Sequence, residues 1–452
     1  MAGRTTLLLL AVACLPPAPA AAQSDPVTTL PPNLVLSNYN SAPVGPYGGL
    51  EGSAYAARVD DPSATWFNPA GLARQASPQI SGSAGVYERT AVAPTLFPSQ
   101  GGSVQQLPAF VGFTFSPHKG FTAGGALLTT TSWSQETDSQ LISPLPTGER
   151  RFAYSAVSGF DQRVAAAGLG YHGGGPWRVG GGFAFTLMGL DLVQTASDRI
   201  ADASGLRSAL IAARASGSTI QFRTQAGVQY DTARWRFGGA FRTPGFTIHK
   251  SGTLTLDGLL DSGTGSLGTS LFDSGPALEF HQPWELQGGA AFVTPRVEVE
   301  ADLQAYTPVS AYPLLSSDQP IARFSSAGPG APPVVTTQPF AGLISASKGL
   351  VNVGAGGHVK VFTDRDLLVH GSVGSNRSPV GAEDVIFDRV DLTSWTLGVS
   401  GTFGKLQFAA GFNHQTGRAA DVTLRNLLDG GVVRTDIDVH ITGFIYSLGY
   451  QF

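Results

Sequence analysis

Along most of the chain, apolar and polar residues alternate with a period of two, in segments of roughly nine to thirteen residues. That is the pattern of strands with two unlike faces. In 296–306, Val297, Val299, Ala301, Leu303 and Ala305 share one face, and Arg296, Glu298, Glu300, Asp302, Gln304 and Tyr306 the other. Residues 220–230 set Ile220, Phe222, Ala226, Val228 and Tyr230 against Gln221, Arg223, Gln225 and Gln229. Leu406, Phe408, Ala410 and Phe412 oppose Gln407 and Asn413 in the same way. The last strand carries Phe444, Tyr446, Leu448, Tyr450 and Phe452 on one face, an aromatic stripe suited to a lipid interface.

The predicted connections are of two kinds that take turns. Tight links fall at 117–120, 172–176, 231–233, 294–295, 363–366 and 404. Long, irregular ones are predicted at 88–106, 132–161, 191–217, 258–278, 309–349, 375–391 and 414–434. Short turns alternating with long loops mark an outer-membrane barrel. Counting strands from 79–87 to 435–452 gives fourteen, the even number such a barrel needs to close. The expected fold is therefore all-β: a 14-stranded antiparallel transmembrane β-barrel over 79–452.

Composition agrees. Charged residues make up 13% of 452, well under the roughly 25% of an average soluble domain. Both strand faces are short of charge, which favours lipid on one side and a lumen on the other. Lys+Arg 28 against Asp+Glu 32 leaves −4, so no basic surface suggests nucleic acid. Arg4, the apolar run 7–15 and Ala20-Ala21-Ala22 read as a secretory signal over 1–22, leaving an extension at 23–44. Cys14 is the single cysteine, so a mature chain would have no thiolate metal site or disulfide.

Residues 45–78 do not read as strand. Asp61-Pro62 is a helix-start pair, with Asp as N-cap and Pro at the first helical position. The helix should stop near Phe67, since Asn68 precedes a proline. Asn68-Pro69-Ala70-Gly71 fits a type I turn. Such a compact segment suits either a plug inside the barrel or an ordinary periplasmic extension.

Glu51-Gly52-Ser53-Ala54-Tyr55-Ala56-Ala57-Arg58, followed by 60–72 with Asn68-Pro69-Ala70, closely resembles the N-terminal hatch of the FadL-type long-chain fatty acid and hydrocarbon transporters. Phe241-Arg242-Thr243-Pro244, 278–286, 371–379 and Asp388-Arg389 extend the resemblance to Phe452. It implies a barrel plugged by the hatch (45–78), passing hydrophobic molecules passively and releasing them sideways at a kink in the third strand. Gly124 and Gly125 are the expected kink, because glycine weakens strand pairing. In the family the first mature residues help close the ligand pocket. Here about twenty residues, with Pro26, Pro31 and Pro32, come before the hatch, so that role is not carried over.

Glu298, Glu300 and Asp302 are placed in the lumen opposite a basic stripe of Arg234, Arg236 and Arg242. They either steer a carboxylate headgroup or pair and hold the hatch. An apolar helix is expected at 200–215, with Leu206, Leu210 and Ile211. The glycine patterns at 168–173 and 263–268 lack a βαβ setting, and the eight histidines show no metal spacing, so neither catalytic nor metal residues and no cofactor are expected. The reading is a monomeric outer-membrane channel for fatty acids or hydrocarbons. Its partners are that ligand, outer-membrane lipid and the barrel assembly machinery, to which the 444–452 stripe is the signal. A general porin, or a non-transporting barrel for secretion or surface attachment, is the alternative.

Overall fold

The computed structural model describes residues 34–39, 42, 44–75, 77–94, 100–203, 205–261, 264–326, 332, 334–362, 366–425 and 432–452. The expected signal segment, and residues 363–365 of one predicted turn, lie outside these. The first six strands are β1 (Gln79–Pro94), β2 (Gln100–His118), β3 (Phe121–Leu145), β4 (Gly148–His172), β5 (Trp177–Asp202) and β6 (Gly205–Asp231). Next come β7 (Trp235–Arg242), β8 (Phe246–Asp261), β9 (Ser266–Asp273), β10 (Ala277–Leu278), β11 (Glu285–Val293) and β12 (Val297–Tyr306). The rest are β13 (Val309–Ser316), β14 (Ile321–Ser326), β15 (Val334–Gln338), β16 (Leu343–Ser347), β17 (Leu350–Lys360), β18 (Leu367–Asn376), β19 (Asp391–Phe403), β20 (Leu406–Arg425) and β21 (Val432–Gln451).

Fourteen of these close a ring of antiparallel pairs: β1 to β7 in order, then β11, β12, β17, β18, β19, β20 and β21, with β21 paired back onto β1. Closure pairs every strand of the ring on both sides, as a barrel in lipid requires. β8 continues the line of β7 along the upper part of β6, after a break at Thr243-Pro244-Gly245. Proline has no N–H to give the ladder, so the break falls there. β9, β14 and β15 extend this outer flap. β10, β13 and β16 form a separate small sheet.

Six of the seven long connections prove to be largely strand, 88–106 and 414–434 holding the ends of β1, β2, β20 and β21. β3 and β4 stay paired up to Leu145↔Gly148, and β5 and β6 up to Asp202↔Gly205, where Gly205 turns with φ +118°. The expected 200–215 helix is therefore strand, with Leu206 and Leu210 exposed on one face and Ile211 buried on the other. Residues 258–278 and 309–349 hold the ends of β8 and β10 together with β9 and β13–β16.

These regions escaped the pattern because the two faces exchange character part-way up the wall. On β5, Trp177, Val179, Phe183, Phe185 and Leu187 point outward and are exposed, while Ala184 and Thr186 face in. Above Leu187 the inward row becomes Met188, Leu190, Leu192, Ala196 and Ile200, all buried, and the outward row becomes Asp191, Thr195 and Arg199. β21 does the same. Phe444, Tyr446, Leu448, Tyr450 and Phe452 are exposed below, and Ile437, Val439 and Ile441 are buried above. The apolar-out band meets lipid, and the apolar-in, polar-out extension stands in water.

Candidate functional site: a hatch below an apolar chamber

Residues 44–75 pack inside the barrel. Helix α1 (Ala64–Phe67) and the 3-10 helix Pro69–Arg74 bury Trp66, Phe67, Pro69 and Leu72. The helix starts later than the Asp61-Pro62 pair suggests, with Ser63 as its N-cap residue. Asp61 still satisfies an amide, accepting from Ser63 N at 2.7 Å. Its carboxyl is pushed up to about 7 by burial, with the neighbouring Asp60 adding to the shift and the Ser63 hydrogen bonding opposing it. The Asn68–Gly71 turn is present as the first turn of the 3-10 helix, where Gly71 N donates to Asn68 O at 2.9 Å and Ala70 N to Asn68 Oδ1 at 3.1 Å.

Asn68 also ties the turn to its surroundings. Its Nδ2 donates to Ala56 O at 2.9 Å, within the hatch, and to Val228 O of the wall at 3.1 Å. The wall makes room through glycine: a Cβ on Gly180 would overlap the Pro69 backbone, and one on Gly238 the Ala56 backbone. Gly124 serves the same end, since a Cβ there would lie 2.8 Å from Leu72 of the hatch. It is no kink. Gly124 and Gly125 pair in register with Thr114 and Phe113 of β2 and with Gly168 and Ala167 of β4.

The irregularity lies further along β3. Thr129 pairs with Arg163 and Thr131 with Gln162, leaving Thr130 as an extra residue. The β2–β3 ladder runs from His118↔Phe121 to Phe110↔Leu128, and beyond that pair β2 continues against β1 alone among the described residues. Pro108, with no N–H to donate, stands two residues past the last pair. The seam between β2 and β3 is open above this point.

The lumen charges divide. Arg234 lies exposed in the turn before β7, outside the predicted stripe. The other five face inward, and four of them touch the hatch. Glu300 accepts from Ala57 N at 2.6 Å and Arg58 Nε at 2.9 Å, and Asp302 from the Tyr55 and Ala56 amides, both at 3.1 Å. Arg236 meets Glu298 at 3.5 Å, and Glu298 lies 3.7 Å from Arg58. Arg242 pairs with Glu285, donates to Trp66 O and covers the Trp66 ring at 4.0 Å. Two carboxylates aimed at successive hatch amides give a fixed docking geometry.

Several partners were not legible in the sequence. Arg58 pairs with Glu51, whose Oε1 lies 2.8 Å from His358 Nδ1 and 2.7 Å from His370 Nδ1. Burial works against ionising Glu51, but Arg58 and the two imidazoles outweigh it and hold the carboxyl well below the usual carboxylate range. Arg74 binds Asp231 at 2.7 Å, and Arg178 also pairs with Asp231. Glu51 and Arg58 are only 7 residues apart but lie in the hatch, where no alternation assigns a face, and the two histidines lie 307 and 319 positions from Glu51.

Above the hatch the lumen holds a large apolar cluster. Phe160, Met188, Phe280, Val380, Phe387 and Tyr312 form the apolar part of a small cavity whose polar side is Gln162, Gln282, Ser345 and Asp384. The 34–39 segment runs into this chamber. Leu34, Val35 and Leu36 are buried in the same apolar cluster, and Leu34 O accepts from Trp133 Nε1 at 2.9 Å and Ser158 Oγ at 2.8 Å. Asn38 O accepts from Thr131 Oγ1 at 3.2 Å, and Ala42 N donates to Thr130 O at 3.0 Å, beside the β3 bulge.

A closed 14-stranded wall around such a plug is matched by solved structures across nearly the whole chain. A FadL homologue of Pseudomonas aeruginosa aligns with a TM-score of 0.56 at 13% identity, covering 92% of this chain and 100% of that one. This is the FadL-type fold. The toluene transporter TodX of Pseudomonas putida aligns at 0.58 and 13% identity, over 90% of this chain and 98% of its own. The toluene transporter TbuX of Ralstonia pickettii aligns at 0.53 and 15%, over 91% and 99%. No protein-family model and no curated protein sequence matches the chain. Within this FadL-type barrel the glycine pattern at 168–173 lies on β4 and the turn after it, with no strand-to-helix turn for a nucleotide.

Proposed function

We propose that this chain is an outer-membrane channel of the FadL family for passive uptake of hydrophobic compounds. The observation that carries this reading is the apolar chamber built from Phe160, Met188, Phe280 and Phe387 directly above a lumen filled by the hatch. A cavity walled by aromatic and aliphatic side chains with a few polar groups suits an apolar ligand. A lumen occupied by packed hatch residues does not suit a general porin for polar solutes. The FadL homologue and toluene transporters that share the fold point the same way.

Release is sideways in this proposal. The open seam between β2 and β3, beginning at Phe110 and Leu128, lies next to the bulge at Thr130. A greasy solute leaving there enters the bilayer without crossing the polar hatch network. The tight turns then face the periplasm, and the apolar-in extension of β3–β6 faces outward. The substrate class is a fatty acid or an aromatic hydrocarbon, taken up by a monomer.

The test is uptake of a labelled long-chain fatty acid, a monoaromatic hydrocarbon and a small sugar in cells lacking their own transporter of this type. Wild type is compared with a variant in which Thr130 is deleted to straighten β3. Entry of an apolar compound, reduced by the deletion, supports channel and exit together. Entry of the sugar alone overturns the reading.

A further inference from the structure

Glu51 of the hatch and two wall histidines, His358 on β17 and His370 on β18, converge on a single point. Both Nδ1 atoms approach the same carboxylate oxygen, Glu51 Oε1, at 2.8 and 2.7 Å, and the three ligand atoms lie within 4.8 Å of one another. The rings' centroids are 5.1 Å apart and tilted by 51°; each Nδ1–H donates to Oε1, and moving those protons to Nε2 would turn both Nδ1 lone pairs toward one point. Two imidazoles and a carboxylate are a common ligand set for zinc, with metal–ligand bonds of about 2.0–2.2 Å. Withdrawal of Oε1 by a few tenths of an ångström opens the centre of this triangle to an ion.

The surroundings fit. His370 Nε2 lies 2.7 Å from Ser400 Oγ, a hydroxyl that accepts from Nε2–H when Nδ1 is a ligand and donates when it is not. A metal-bound histidine characteristically gives its other N–H to such a partner. Arg58 pairs with Glu51 Oε2 and leaves Oε1 for the site. Around it stand three carboxylates, Glu51, Glu298 and Glu300, against two guanidiniums, Arg58 and Arg236, so neutral histidines leave an excess negative charge for a cation. Glu51 and His370 are fully buried, but His358 is 18% exposed and gives the ion a way in.

We propose that Glu51, His358 and His370 bind a divalent transition-metal ion of the zinc class, pinning the hatch to the β17–β18 wall. The three ligands stand 307 and 319 residues apart in the pairs Glu51–His358 and Glu51–His370, which is why no spacing motif announces them. The inference rests on the hatch's placement and is independent of what the barrel transports.

The metal-stripped full-length protein in detergent would be titrated with Co2+, reading the visible ligand-field band, with Zn2+ as competitor. The expected result is saturation at one ion per chain, displacement by Zn2+, and increased hydrogen-exchange protection of amides 51–58. His358→Ala should abolish the band, and Ser400→Ala should weaken binding by about 10–100-fold, as loss of a histidine's outer partner does. His414→Ala with His440→Ala, which removes the histidine pair on the outer face of β20 and β21, should leave it unchanged. No saturable band in the wild type would overturn the proposal. So would a band that survives His358→Ala and His370→Ala in correctly folded protein, or one that vanishes only with the His414 and His440 changes.

Discussion

Arg58 and Glu300, 242 residues apart in sequence, meet inside the barrel with Arg58 Nε 2.9 Å from Glu300 Oε2, both side chains essentially shut off from solvent. The pair joins plug to wall, and the Ala57 amide bonds the other carboxylate oxygen at 2.6 Å. Without Glu300, Arg58 keeps Glu51 as a partner and Glu298 at 3.7 Å, so the cost should stay below the about 3–5 kcal/mol of a fully uncompensated buried charge. Glu300→Gln should therefore loosen the hatch without opening the wall. Hydrogen exchange should rise at amides 54–60 while the barrel strands stay protected. Unchanged exchange there would show that Glu298 and Glu51 suffice.

Asn68→Ala removes two donated bonds, to Ala56 O and Val228 O, and the one accepted from Ala70 N. At about 1 kcal/mol for each bond the hatch should lose roughly 2 kcal/mol of internal support and about 1 kcal/mol of docking to the wall. Planar-bilayer recording should detect more frequent ion-conducting openings than in wild type. A silent variant with a wild-type melting temperature would place the hatch's anchorage elsewhere.

Acidity should tighten the hatch. The Asp61 carboxyl titrates near 7 in the folded protein, against about 3.9 in an unfolded chain. Between those values the folded hatch holds a proton that the unfolded one does not, so its stability falls as pH rises from about 4 to about 7. Amides 61–67 should exchange more slowly at pH 6 than at pH 8, after correction for the intrinsic rate. In Asp61→Asn, whose side-chain oxygen can still accept from Ser63 N, the difference should vanish.

Gly238→Val tests the wall's clearance for the plug. A side chain there would overlap the Ala56 backbone, so the hatch cannot seat in its native place. The barrel should still form, since Gly238 pairs with Gln229 and Gly289 through its backbone. Limited proteolysis should then cut at Arg58 or Arg74, sites that are buried or nearly so in the native protein.

The chamber is tested by filling it. Met188→Trp places an indole among Phe160, Phe280 and Phe387. Apolar uptake should fall several-fold with no change in hatch exchange. If uptake is unaffected, the solute takes another route.

Period-two alternation and strict turn positions make strand number readable in one dimension, because each is set by residues within about ten positions of one another. That is how the fourteen strands, the tight turns at 119–120, 173–176 and 404 and the outward aromatic stripe of β21 are legible. The Asn68-Pro69-Ala70-Gly71 turn is local for the same reason. Two kinds of fact were out of reach. One is where a strand leaves the membrane: Met188 and Leu190 look like the end of a strand, and only burial against Phe280 and Phe387 across the lumen makes them its inner face. The other is any pairing across the lumen. Gly124 reads as a weak point until Leu72 is seen against it. Eight scattered histidines read as noise until closure of the ring brings His358 and His370 onto Glu51. Contacts between remote segments depend on how a closed sheet curves around its plug, and no short window of sequence records that curvature.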